Sequence, residues 1–83
     1  MITREAILLA LKNGPLTPVD LYFTLMIIID GYTEHEIAII KRTSQRGHMW
    51  LNQHRFNQIR VLVLNMENEG IIKITSDRKY ALP

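Results

Sequence analysis

Residues 52–82 read NQHRFNQIRVLVLNMENEGIIKITSDRKYAL, and the periodicity inside this stretch decides the fold. Phe56, Ile59, Val63 and Met66 recur at i, i+3, i+7 and i+10 with Leu62 beside them, so one stripe is apolar and a helix is predicted over 53–69. Asn52 is placed to cap its start, because an asparagine side-chain oxygen accepts an orphan amide of the first turn. Gly70 stands where a left-handed residue closes a helix. After the glycine the period changes to two, which predicts a β-hairpin over 71–82 turning at Ser76, Asp77 and Arg78. Alternation assigns Ile72, Ile74, Tyr80 and Leu82 to the buried face and leaves Lys73 and Lys79 outward. The helix face opposite its apolar stripe is polar in its first half, with Gln53, His54, Asn57 and Gln58, and apolar in its second, with Val61 and Leu64. The apolar half needs cover, and the hairpin is expected to supply it.

Upstream, Thr3 caps a first helix over about 3–13 with Ile7, Leu8 and Leu11 on its buried side, ended by Asn13-Gly14-Pro15. Thr17-Pro18-Val19-Asp20 begins a second helix over 18–29. Thr17 caps it, Pro18 takes the first position, where a missing amide costs nothing, and Asp20 is placed to reach back. Leu21, Leu25 and Ile28 line one face, with Tyr22 and Met26 beside them. Asp30-Gly31 closes that helix, and Thr33-Glu34-His35-Glu36 is a capping box for a third over 34–46 that buries Ile37 and Ile40. Trp50, in the loop after Gly47, is expected to anchor the core beneath the last helix.

The run Leu62, Leu64, Met66, Glu69, Gly70, Ile71, Ile72, followed by Tyr80 and Leu82, resembles the end of a winged helix-turn-helix domain of the bacterial or phage regulator type. Residues 7–18 with Asp20 and Leu21 resemble the opening of such domains, where a first helix leads through a short extended piece into the helix-turn-helix. The resemblance implies a mainly α fold with a small C-terminal β-hairpin: four helices in one domain over residues 1–83, followed by a wing. It implies transcriptional control, with 53–69 as the recognition helix. Two assignments of the positioning helix stay open. Glu36-Ile37-Ala38 favours the third helix, although the glycine usual four residues after the alanine is Arg42; otherwise the second helix has that role and the third is an insertion.

Charge gives an independent argument. Through Ile40 the chain carries Arg4 and Lys12 against five acids, a net −3; from Lys41 onward it carries eight bases against Glu67, Glu69 and Asp77, a net +5. A basic half that coincides with one helix and its hairpin is the footprint of a domain that meets a phosphate backbone with one side. Amides pair with adenine edges and a helix N-terminus presents them with free backbone N–H groups, so Gln53, His54, Asn57 and Gln58 are the candidate base contacts. Lys41, Arg42, Arg46, Asn52, Arg55 and Arg60 are candidate backbone contacts, with Arg55 equally placed to hold an acidic partner. Lys73, Arg78 and Lys79 are the wing candidates.

Other classes are disfavoured. With no cysteine, neither a disulfide framework nor a cysteine zinc finger is possible. His35, His48 and His54 lack metal spacing, no glycine-rich phosphate loop is present, and Ser44 and Ser76 have no catalytic partners, so no enzyme activity, metal or cofactor is expected. The longest apolar run, 21–29, is far below the roughly 20 residues of a membrane span. The opening five residues carry no export signal, and a cytoplasmic setting is expected. The expected partner is double-stranded DNA, in a regulator of the size of phage or plasmid proteins. Leu8, Leu9, Tyr22, Phe23, Ile27 and Ile29 are a surplus of apolar residues that points to a homodimer through the first or second helix. The alternative is a winged-helix protein-interaction module or replication accessory factor, docking through Val61, Leu64, Phe23 or Trp50.

Overall fold

The computed structural model describes residues 2–43 and 52–83. Among them are α1 (Arg4–Leu11), α2 (Pro18–Asp30), α3 (Glu34–Thr43), α4 (Gln53–Asn68), β1 (Lys73–Ile74) and β2 (Tyr80–Ala81). The fold is mainly helical, with a small antiparallel hairpin at its C-terminal end. No helix among the described residues is long and apolar enough to cross a membrane.

Local chemistry sets the helix ends. The Thr3 hydroxyl accepts from the Ala6 N–H, Thr17 from Asp20, and the Asn52 side chain from Arg55, at 3.1–3.2 Å. The capping box forms in both directions: Glu36 N–H donates to the Thr33 hydroxyl at 3.1 Å, and Thr33 N–H donates to Glu36 Oε1 at 3.0 Å. The bond that Oε1 accepts from the Thr33 N–H favours the ionised Glu36 and contributes most to lowering its pKa. Asp20 does not complete a box; its carboxylate lies 3.7 Å from Lys41 Nζ. Gly70, at φ 76°, donates to the Glu67 carbonyl while Ile71 donates to that of Met66, a paired closure that requires the left-handed turn. α1 ends two residues earlier than expected, as Lys12 and Gly14 turn their N–H groups onto Leu9 and Leu11.

The core is built on α2. Both α1 and α4 pack against it, burying Ile7 and Leu11 from α1, Leu21, Tyr22, Phe23 and Leu25 from α2, and Ile59, Val63 and Met66 from α4. Ile37 joins from α3 and Ile72 from the hairpin. Tyr22 and Phe23 are therefore core residues, 4% and 3% exposed, and not a surplus for an interface. Leu8, Ile27 and Ile29 are partly buried against the same core, leaving Leu9 exposed.

The hairpin differs from its expected pattern. β1 and β2 pair in the register Lys73 to Ala81 and Ile74 to Tyr80, while the other edge of Tyr80 exchanges hydrogen bonds with Leu16 at 2.8 and 3.0 Å. β2 is thus central and β1 is the outer edge, so Ile72, Tyr80 and Ala81 are buried but Ile74 and Leu82 are exposed. Pairing with Leu16 draws the hairpin towards α1, where Ala81 and Leu82 border Leu11 and Pro15. It does not cover the second half of α4, and Val61 and Leu64 stay 59% and 48% exposed.

Candidate nucleic-acid interface

α4 sorts its side chains by period. Ile59, Val63 and Met66 are buried, and on the opposite side Gln53, His54, Asn57 and Gln58 are exposed together within the first two turns. The side chains of Gln58 and His54 touch, Nε2 to Nε2, at 3.3 Å, as i and i+4 positions on one helical face should. Ile2 comes alongside, and with His54, Asn57, Gln58, Val61 and Leu62 it lines an open groove of about 570 Å³. Amide donors and acceptors thus border an apolar strip on a surface reachable from solvent.

The N-terminus of α4 is held from α2 at three points. The Tyr22 hydroxyl accepts the backbone N–H of Asn52 at 3.0 Å, and the Tyr22 and Phe56 rings meet at 6.1 Å between centroids. Arg55 grips Asp30 with two hydrogen bonds, Nη1 to Oδ2 at 2.6 Å and Nη2 to Oδ1 at 3.2 Å. Arg55 therefore has the acidic partner and not a free guanidinium, and the Asn52 side chain is committed to its cap. The Asn52 cap was legible in the sequence, but the contacts of Arg55 with Asp30 and of the Asn52 N–H with Tyr22 were not legible as fixed contacts, because those partners lie 25 and 30 residues away.

The other basic candidates divide. Arg42 and Arg60 are exposed. Lys41 lies 4.7 Å over the Phe23 ring and near Asp20, which holds its ammonium at the α2–α3 seam. Lys73 is exposed on β1, Arg78 is exposed at the turn, and Lys79 lies 3.7 Å from Asp77. Arg46 and Trp50 fall outside the described residues. The turn is knotted by Thr75, whose hydroxyl bonds Asp77 and accepts the Lys79 N–H at 3.0 Å. The Thr75 bond favours the ionised Asp77 and lowers its pKa. Tyr80 has its pKa raised, chiefly by burial. Among the described residues no three of His, Cys, Asp and Glu gather as a metal site.

Comparison of the chain with known protein families, curated proteins and solved structures finds no match.

Proposed function

We propose that this chain is a winged-helix, sequence-specific double-stranded DNA-binding protein, a repressor-like regulator of transcription that enters the major groove with α4. The observation that carries the reading is the outward set Gln53, His54, Asn57 and Gln58 on a helix whose inward side is locked into the core. Three of those four residues, Gln53, Asn57 and Gln58, carry amides, which make paired hydrogen bonds to adenine, and the helix end brings backbone N–H groups to the adjacent phosphate. The pairing of Leu16 with Tyr80 adds support, since an extended piece between α1 and α2 lying against the last strand is what a winged-helix order requires. In this reading α2, which holds Asn52 and Arg55, positions the reading helix.

The test is selection from a random duplex pool at low and moderate salt. Gln53→Ala with Asn57→Ala should flatten the selected sequence, each lost base contact costing about 1–3 kcal/mol of discrimination. Arg42→Ala with Arg46→Ala should weaken all duplexes alike and make the salt dependence shallower. Loss of all retention at low salt by the intact chain would remove the reading. The exposed Val61 and Leu64, continuing the same face, favour a second reading as a protein-docking surface.

A further inference from the structure

The turn between α1 and α2 brings a side-chain amide next to an unshielded backbone nitrogen. Asn13 is exposed, and its side chain makes no hydrogen bond among the described residues. Gly14 follows it at φ 138°, with open space where a Cβ would stand, so no side chain screens its nitrogen. That nitrogen is held by one hydrogen bond, from its N–H to the Leu11 carbonyl at 3.1 Å, just past the end of α1. Bonds at a helix end open at little cost. Lys12 and Lys73 line the same crevice as Gly14, so negative charge developing on its nitrogen is attracted by two ammonium groups.

We infer that Asn13 is a site of self-modification, which closes a succinimide with the Gly14 nitrogen and opens to isoaspartate. The Gly14 N–H gives its proton to hydroxide, and the nitrogen attacks Asn13 Cγ. A Cγ–N bond forms, the Cγ–Nδ2 bond breaks and ammonia leaves. Water then opens the ring. When it cleaves the bond between the Asn13 main-chain carbonyl carbon and the Gly14 nitrogen, the chain runs on through Cβ and Cγ, so the backbone gains a methylene and the surface a carboxylate. The effect reaches the hairpin. Three residues on, Leu16 exchanges hydrogen bonds with Tyr80 at 2.8 and 3.0 Å, the pairing that draws the hairpin towards α1. A turn lengthened at position 13 no longer delivers Leu16 in register, so ageing loosens this pairing irreversibly.

The same fold spares a similar site. Asp30-Gly31 could close such a ring by loss of water, but Arg55 bonds both Asp30 oxygens at 2.6 and 3.2 Å, and the Gly31 N–H is bonded to the Ile27 carbonyl. Charge-assisted bonds to both oxygens fix that carboxylate, and a fixed carboxylate cannot swing onto the next nitrogen. Asn52, Asn57, Asn65 and Asn68 lie at the cap or within α4, each followed by a residue with a side chain.

For the test, the intact chain is aged in mildly alkaline buffer and digested, and electron-transfer fragmentation distinguishes isoaspartate from aspartate in each peptide. The Asn13 peptide should gain the mass of water less ammonia severalfold faster than the peptides of the other asparagines, mostly as isoaspartate, with Asp30 unchanged. Hydrogen exchange at the Leu16 and Tyr80 amides should quicken about fivefold in the aged chain, the worth of one hydrogen bond. Asn13→Gln, at an exposed position, should keep its circular dichroism spectrum and lose both effects. Freshly prepared Asn13→Asp adds the charge without the methylene and should exchange like the parent. An Asn13 that converts no faster than the other asparagines overturns the proposal, as does an Asp30 that isomerises alongside it. Unaltered exchange in the aged chain, or equally quickened exchange in Asn13→Asp, overturns the lengthened backbone as the cause of loosening.

Discussion

Replacing Tyr22 by phenylalanine removes one oxygen, and with it the acceptor that holds the Asn52 N–H at 3.0 Å. The ring stays against Phe56, so the expected loss is that of one hydrogen bond, about 1 kcal/mol, read from urea denaturation. An unchanged midpoint would mean the bond does not anchor α4. The Arg55–Asp30 pair is bidentate but its side chains are 24% and 29% exposed. Solvent screening therefore limits its coupling to roughly 0.5–1 kcal/mol in a double-mutant cycle with Arg55→Ala and Asp30→Ala. Acid should act through Glu36 and Asp77. Both have lowered pKa values in the fold, from ordinary values of 4.5 and 3.8, so their contributions are complete above those values. They fade as pH falls through the lower folded values. The thermal midpoint should drop below about pH 4.5, and Glu36→Gln should flatten that part of the profile; an equally steep drop in the variant would place the acid response elsewhere. Caps such as Thr3, Thr17, Thr33 and Asn52 were readable from the chain because donor and acceptor lie three residues apart. Arg55 and Tyr22 were not, since sequence spacing carries no information about a partner one helix away.

Two left-handed residues frame the end of α4 and the turn that follows. Gly70 has open space where a Cβ would stand, so Gly70→Ala tests the backbone alone, and at φ 76° it should cost about 1 kcal/mol. Arg78 is the reverse case, a side chain held at φ 62°. Arg78→Gly should leave stability equal or raise it by up to about 1 kcal/mol while weakening duplex retention. A variant that gains stability and keeps full affinity would exclude the turn from the interface. All four helices and the hairpin turn were legible, because their periods and punctuation are local. The burial within the hairpin was not. Alternation predicts which residues share a face only while both strands run on, and here each has two residues. Ile74 is left at the outer edge because Leu16, an element away, takes the inner one.

At the scale of the molecule, the charge division between the two ends of the chain predicts how binding should respond to ions. On the proposed reading Arg42 contacts a phosphate, so Arg42→Ala should reduce the slope of log affinity against log salt by about 1. An unaltered slope would assign Arg42 to bare solvent. The polar half of the α4 face was legible from its amides, whereas the openness of its apolar half was not, because cover depends on where the hairpin packs. The fastenings of α4 described above, Asn52 to Tyr22, Arg55 to Asp30, the buried Ile59, Val63 and Met66, and the closure at Gly70, all lie on its inward side or at its ends. Positions 53, 54, 57 and 58 bear none of that burden. They form a cassette in which substitutions are nearly neutral for folding, so on the proposed DNA reading a lineage carrying this scaffold can drift to new targets one residue at a time, with no compensating change inside.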